Sequence, residues 1–497
     1  MNRDENLERV RKHKQPWDII VIGGGATGVG CALDAASRRL DVLLLEQHDL
    51  GKGTSSRSTK LVHGGVRYLA QGDLGLVREA LSERSTLLQN APHVVHIQEF
   101  IVPCYSLWQK VFYGVGLKIY DLLAGSKRIG RSKILSRSET TRRFPTVNTE
   151  GLSGGILYHD GQFDDARLLI DMARTADGVG ACLINYAPVL DFQDDDLGSI
   201  VGVKFRDLET GEIHKVLART IINATGAFCD PIRKNADPKA KPVVTFAQGS
   251  HIVLERRFLP SDAALMIPKT SDGRVLFCIP WHDHVIVGTT DISVESAVLE
   301  PEALDAEIDF ILETVGGYLT ERPKRADILS VFAGIRPLVN RSDAKNTAAL
   351  SRSHELFVDA DVVITITGGK WTTYRRMAED AVDRAVEIGS LDASCCVTAN
   401  LKISAPPKSS GQRLHKDLQY TDDDVVRAVR DEMARTVEDV LARRTRTLFL
   451  NAAAAIEMAP KIAEIMAREL GRDSEWVTAE IAAFRKTACR YRSEPSA

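Results

Sequence analysis

"WDIIVIGGGATGVGCALDAASRRLDVLLLE", residues 17 to 46, decides the reading of the fold. "DIIVI" is an unbroken apolar run, the pattern of a parallel strand buried on both faces. "ATGVGCALDAASRR" is rich in small residues, as a closely packed helix requires, and "DVLLLE" reads as a second strand. Strand, tight turn, helix and strand in this order indicate an α/β fold. Gly23, Gly25 and Gly28 make G-x-G-x-x-G between the first strand and the helix. The first permits the turn, the second lets backbone approach a pyrophosphate, and the third lets helix and strand touch. The N-terminus of the helix then favours phosphate charge. Glu46, 23 residues after Gly23 at the end of the second strand, is placed to accept a hydrogen bond from a ribose hydroxyl. An acid at that point repels a 2′-phosphate, which argues against NADP. The fingerprint occurs once, which leaves no second site for a nicotinamide. "INATGAF" (222–228) is a strand ending in a small-residue turn of the kind that passes close to a flavin, so FAD is expected, with Thr225 and Gly226 beside it.

The rest of the chain bounds this reading. At 497 residues it is too long for one core, so two or three domains are expected. Apolar content of 44% and charged content of 26% describe an ordinary globular protein. A net charge of -3 gives no reason to expect nucleic acid. Of the eight cysteines none forms C-x-x-C, and no Cys/His cluster has zinc spacing. Reduced thiols in a cytoplasmic protein, and no metal site, are expected. "MNRDENLERVRKHKQ" lacks the apolar core of a secretory signal, and no apolar run reaches the roughly 18 residues that span a membrane.

Helical patterns fall at about 73–91 and 164–177. Strand-like runs include "IVGVKFRD" (200–207), "SHIVLE" (250–255), "VLFCIPW" (275–281), "HVIVGTTD" (284–291) and "DVVITITGG" (361–369). "GGKWTTYRRMAEDAVDRAVEIG" (368–389) reads as a Gly-rich turn running into a long helix. "ISAPPKSSGQ" (403–412) is a linker by composition, and the chain after it reads as helical. Thr421 and Thr436, each followed by acids, are good helix caps.

"IVIGGGATGVG", "TSSRSTKLVHGGVRYL", "NATGAF", "GSHIVL", "IPWHDHVIVGTTD", "GIRPL" and "GGKWTTYR" occur in that order. Together they resemble the FAD-dependent glycerol-3-phosphate dehydrogenases, from about residue 17 to 390 and again at "TVEDVLARRTRTLFL". The resemblance implies a Rossmann-like FAD-binding domain of the glycine/amino-acid-oxidase type with an inserted, sheet-based substrate domain and an all-helical C-terminal domain. The expected FAD-binding domain is discontinuous, 17–90 with 152–235 and 331–400; the substrate domain is 91–151 with 236–330; the helical cap is 401–497. It implies oxidation of sn-glycerol 3-phosphate to dihydroxyacetone phosphate, with hydride passing from C2 to flavin N5 and electrons to a membrane quinone.

A phosphate dianion needs cationic donors, and arginine is its best fork-shaped ligand. By matched motif, Arg67, Arg336 and Lys370 resemble the family's substrate-binding residues. Arg336, followed by Pro337 and preceded by apolar residues, is poorly placed for a merely solvated charge. Lys370, read at the N-terminus of a helix, opposes the dipole there unless it meets an anion. Tyr68 is a candidate phosphate ligand or a core residue. His63 and His251 are candidates to accept the C2 hydroxyl proton, with Arg336 or a water as alternatives. Thr54, Ser55 and Ser56 offer hydroxyls to the pyrophosphate or flavin ring. The turn Gly368–Gly369, with Thr372 and Thr373, would direct N–H groups at the flavin's O2/N1 end. Lys60 receives no role.

Residues 105–137 interleave Trp108, Phe112, Tyr113 and Tyr120 with seven Lys/Arg and one Asp, a local net of +6. This pattern suits an anionic bilayer surface or a basic loop beside a core helix. The resemblance, with its membrane quinone, implies peripheral attachment to the inner face of the cell membrane, and a homo-oligomer is also expected. Two other classes stay open on the residues. One is another oxidoreductase of the same fold, such as a glycerol-3-phosphate oxidase using O2. The other is a flavin-binding sensor or RNA-associated module, suggested by the basic "LARRTRTLF" (441–449). The 17 Lys/Arg and 15 Asp/Glu over 401–497 leave that segment near neutral, which speaks against the latter.

Overall fold

The computed structural model describes residues 1–65, 74–339 and 354–493; Arg67 and Tyr68 lie outside the described residues. The strand Trp17–Ile22 sits inside the first sheet, whose order is His354–Asp359, Val363–Gly368, Ile213–Asn223, Trp17–Ile22, Val42–Leu45, Cys182–Ile184. Its central pairings are parallel, and the outer pair His354–Asp359 with Val363–Gly368 is antiparallel. Ile19, Ile20 and Val21 are buried, as the unbroken apolar run requires. One face is covered by the helices Ala26–Ser37, Asp165–Gly178 and Tyr374–Gly389. The first of these buries ten of its twelve residues, which explains its small side chains. The other face packs on the antiparallel strands Val189–Asp194 and Ile200–Arg206 and on the N-terminal helix Arg3–Lys12.

The second sheet runs Ile292–Val294, Val244–Glu255, His284–Gly288, Leu276–Trp281, Ala264–Ile267, Val95–Cys104, Gly154–Phe163, Leu61–Val62. The strand Ile328–Val339 lies antiparallel along Val244–Glu255. Gly154–Phe163 and Ile328–Val339 therefore belong to the second sheet. Gly154–Phe163 lies just after the boundary expected at 152, and Ile328–Val339 spans the one expected at 331, each in an antiparallel ladder of the second sheet.

The C-terminal helices Asp422–Glu432, Ala452–Leu470 and Ser474–Cys489 form a core that takes in Val253, Trp281, Ile286 and Phe332 of the second sheet. Thr421 caps the first through a reciprocal pair with Asp424. The basic stretch expected to be a simple helix instead contains a π-helical turn, Asp439–Arg444. Its arginines are turned inward. Arg443 pairs with Asp49, Glu438 (3.0 Å) and Asp439 (2.7 Å). Arg444 Nη2 donates to Asp49 Oδ1 at 2.8 Å, and Arg446 to Asp165 at 3.1 Å. All three arginines are buried, so none is presented to an RNA.

The helix Leu107–Ala124 packs Gly114 and Leu117 inward and turns Leu107, Trp108, Val111, Phe112, Val115, Ile119 and Leu122 to solvent. Tyr120 does not join that outer face, contrary to the sequence expectation. It is buried; its hydroxyl donates to Asp160 (2.8 Å) and accepts the Gly64 N–H (2.8 Å). Among the described residues no helix is long and apolar enough to cross a membrane, and no His/Cys/Asp/Glu cluster could hold a metal ion.

Candidate active site

A cavity of about 640 Å³ lies where the C-terminal ends of the first sheet's parallel strands meet the second sheet. On the first-sheet side it begins at Gly23, which has φ +109, and Gly25, the N-cap of the helix Ala26–Ser37. Gly28 stands behind the turn: a Cβ there would lie 1.9 Å from the Gly23 carbonyl oxygen, so only glycine lets the helix approach the strand. The first turn of that helix has no side-chain cap at Gly25, and the Ala26 N–H donates to Ser55 Oγ at 2.9 Å. Glu46 lines the cavity with its carboxylate already accepting the Gly24 N–H (2.6 Å) and the His48 N–H (2.8 Å). Burial pushes its pKa up, against those two bonds. Each oxygen keeps a lone pair for a ribose hydroxyl. This glycine-walled turn, open helix end and acid fit the pyrophosphate and ribose of a dinucleotide.

Thr54 and Ser55 also line the cavity. The Thr54 hydroxyl donates to the Ile335 carbonyl at 2.6 Å, which ties the loop to the second sheet. Ser56 is buried and lies off the cavity wall; its carbonyl is held from behind by Lys60 and Arg446. Thr225 and Gly226 line the cavity beside Gly23, and Gly368 and Gly369 also lie on its wall. The helix expected from Lys370 begins at Tyr374, after a 3₁₀ turn Trp371–Thr373 that takes the Thr372 side chain into the cavity. The His63 N–H donates to Thr372 Oγ1 at 3.3 Å, so the "KLVHGG" and "GGKWTTY" motifs meet at the cavity.

On the second-sheet side stand His251 and Arg336. The Arg336 guanidinium donates to Thr289 Oγ1 (2.9 Å), to the Thr290 carbonyl (3.3 Å) and to Asp291 Oδ1 (3.2 Å), with a quarter of its side chain still exposed. Its space comes from Gly249 on the facing strand, where a Cβ would lie 2.1 Å from Arg336 Nη2. His251 is buried, stacked on Phe332 at 4.7 Å and 11°, with Nε2 3.0 Å from Thr59 Oγ1. Burial holds it well below the ordinary histidine pKa, and Lys60 and Arg336 add to the effect, so the ring is neutral at pH 7. His63 and Lys370 share the same cavity.

Several residues at this site carried no sequence-level role. Asp291, which closes "VGTTD", partners Arg336. Thr59 partners His251 from inside "TSSRSTKLVHGG". Arg274 lines the cavity from a turn outside every motif, with Asp272 at 3.2 Å. Trp371 donates its indole N–H to the Ser55 carbonyl at 2.8 Å. The first two lay in quoted motifs; nothing in the local sequence marks Arg274.

A two-sheet fold with this dinucleotide cradle defines a flavin-dependent oxidoreductase. The model for the FAD dependent oxidoreductase family matches residues 18–375, and that for the C-terminal domain of alpha-glycerophosphate oxidase matches residues 394–477. A Caenorhabditis elegans relative, a probable mitochondrial glycerol-3-phosphate dehydrogenase, is 39% identical over 96% of this chain and 73% of its own. The human mitochondrial glycerol-3-phosphate dehydrogenase is 38% identical over 92% of this chain and 71% of its own. The crystal structure of a Bacillus halodurans glycerol-3-phosphate dehydrogenase complexed with FAD superposes with a TM-score of 0.78, at 26% identity, over 99% of this chain and 98% of that one. A Geobacillus kaustophilus glycine oxidase shares the fold at a TM-score of 0.54, 15% identity and 80% of this chain against 100% of its own. The chain belongs to the FAD-dependent oxidoreductases and, within them, to the glycerol-3-phosphate dehydrogenase family. It is an enzyme, and its cofactor is FAD.

Proposed function

We propose that the enzyme oxidises sn-glycerol 3-phosphate to dihydroxyacetone phosphate and passes the electrons to a membrane quinone. The observation that carries this reading is one cavity lined by Arg336, Lys370 and His251 beside a dinucleotide cradle. Gly23, Gly25, Glu46, Thr54, Ser55, Thr225 and Gly226 hold the nucleotide half of FAD; Gly368, Gly369 and Thr372 surround its ring. Arg336 and Lys370 bind the phosphate, with Arg67 and Tyr68 as further ligands by motif. His251 takes the C2 hydroxyl proton, and His63 shapes the ring pocket from the opposite loop. A buried neutral imidazole suits this step, since its lone pair is ready to accept. FAD, when bound, supplies the acceptor for the hydride that leaves C2. The purified protein should be yellow, and glycerol 3-phosphate should bleach it without oxygen. An oxidised spectrum that persists under saturating substrate rejects the assignment.

The acceptor reading rests on the surface. The exposed apolar stripe of the helix Leu107–Ala124 is flanked by exposed Lys118, Lys127, Arg128, Arg131 and Lys133. An apolar face with a cationic rim is the arrangement of a helix lying in an anionic membrane interface. The enzyme then sits on the inner face of the cell membrane, as a homo-oligomer. Binding to anionic but not neutral vesicles, lost in a Trp108→Glu/Phe112→Glu variant, is the expected result. The C-terminal family model, described for an oxidase, favours O2 as the second reading. Turnover with a soluble quinone analogue against O2 separates the two.

A further inference from the structure

Lys60 is fully buried, yet it is charged chemistry in a dry place. Its Nζ donates to Asp165 Oδ2 at 2.6 Å and to the Ser56 carbonyl at 2.8 Å. Around it stand the rings of Phe332, Phe449 and Trp281, with centroids 5.1, 5.4 and 5.5 Å from Nζ. These rings come from the second sheet and from the C-terminal helices, so three parts of the chain converge on one ammonium. A buried ammonium is costly unless it is paired and hydrogen-bonded, and ring faces add further attraction. Phe332 is the shared element: one ring contacts Lys60 and stacks on the imidazole of His251.

We propose that Lys60 is a positioning residue for His251: its ammonium, which shares the Phe332 ring with the imidazole, opposes protonation of that imidazole before substrate arrives. The proposal rests on the reading of His251 as proton acceptor. Asp165, at the start of its helix, is divided between Lys60 and Arg446. Asp164 is turned to His282 (3.1 Å) and Arg446 (3.6 Å). Arg336 approaches from the strand Ile328–Val339 with its partner Asp291. Burial is the main cause that lowers His251, and Lys60 comes next, ahead of Arg336. Burial also brings Lys60 down to about 7, with Asp165 opposing. Below that pH the ammonium is charged, which is where His251 would otherwise take up a proton.

The test is the titration of His251 in FAD-loaded enzyme carrying 13C-labelled histidine, read beside the pH profile of kcat/KM. In Lys60→Met the His251 titration should rise by about one pH unit, and the acid limb of kcat/KM should move with it. Lys60→Arg, which keeps the charge, should restore both. Lys60→Gln repeats the test with a donor to Asp165 retained. A His251 titration unchanged in Lys60→Met or Lys60→Gln overturns the proposal. So does failure of both variants to fold and bind FAD, which would mark Lys60 as a clamp only. A titration that moves while the acid limb stays supports Lys60's effect and refutes His251 as the proton acceptor, so the two readings fail separately.

Discussion

Two sets of arginines divide the molecule. Arg443, Arg444 and Arg446 sit in "LARRTRTLF", and Arg336 in "GIRPL"; in each run the arginines have apolar residues on either side. The first three are buried among Asp49, Glu438, Asp439 and Asp165, so their charge is spent inside the protein, holding the C-terminal helices to the nucleotide-binding sheet. Arg336 is anchored by Asp291 and two threonines but keeps a quarter of its side chain open to the cavity. What a cation does is set by where the fold puts it, and partners such as Asp49 and Asp165 come from segments far away in sequence.

The comparison breaks first on stability. Arg444→Ala strips Asp49 of its bidentate partner in a dry site. It should cost about 3–5 kcal/mol by denaturant unfolding, as removal of one partner from a buried pair does. Turnover per folded molecule should hardly change. Near-native stability in this variant would mean the tail arginines are not structural. Arg336→Ala should do the reverse. Its kcat/KM for glycerol 3-phosphate should fall by about 100-fold, roughly 2.7 kcal/mol of transition-state binding, while FAD content and unfolding midpoint hold. Unchanged turnover removes Arg336 from the site.

Acid should act on the tail set. Burial works to raise Glu438, but Arg443 and Lys52 outweigh it and hold it at about 2, below its ordinary 4.5. Asp49 is likewise lowered, Arg444 and Arg443 overcoming burial. A carboxylate depressed on folding contributes stability that is complete above its unfolded pKa and is lost as pH falls through the folded one. Asp439, raised by burial and by Asp49, opposes part of this. The enzyme should therefore lose stability between pH 4.5 and about 2, and Glu438→Gln should flatten that slope. An unaltered slope would assign the acid sensitivity to other groups.

This contrast also explains what was legible. The dinucleotide turn is local: strand, glycines, helix and acid lie within thirty residues, and all take their expected places. Arg336, Lys370, His63 and His251 were legible through ordered motifs and do share one cavity. The limits were non-local. Tyr120 reads as an interfacial aromatic until Asp160 and Gly64, from other elements, bury its hydroxyl. The extra length of Gly154–Phe163 and Ile328–Val339 in the second sheet is set by pairing partners. Lys60 had no reading because its carboxylate, Asp165, lies 105 residues on.

The smallest expected effect tests whether charge is what separates the two regions. Trp371 joins cavity loops without any charge: its indole N–H donates to the Ser55 carbonyl, and its ring meets Phe163 and Tyr374 edge-on at 5.1 and 5.4 Å. Trp371→Phe keeps an aromatic ring and deletes one neutral hydrogen bond, a loss of about 1 kcal/mol. The Ser55 loop caps the first turn of the helix Ala26–Ser37 through the Ala26 N–H, so the cost should show in cofactor retention. FAD affinity should fall roughly fivefold, the equivalent of about 1 kcal/mol, with the acid sensitivity of unfolding untouched. If Trp371→Phe destabilised the fold as much as Arg444→Ala, neutral links would hold the domains as firmly as ionic ones. The division between the tail cations and the cavity cation would then lose its structural half.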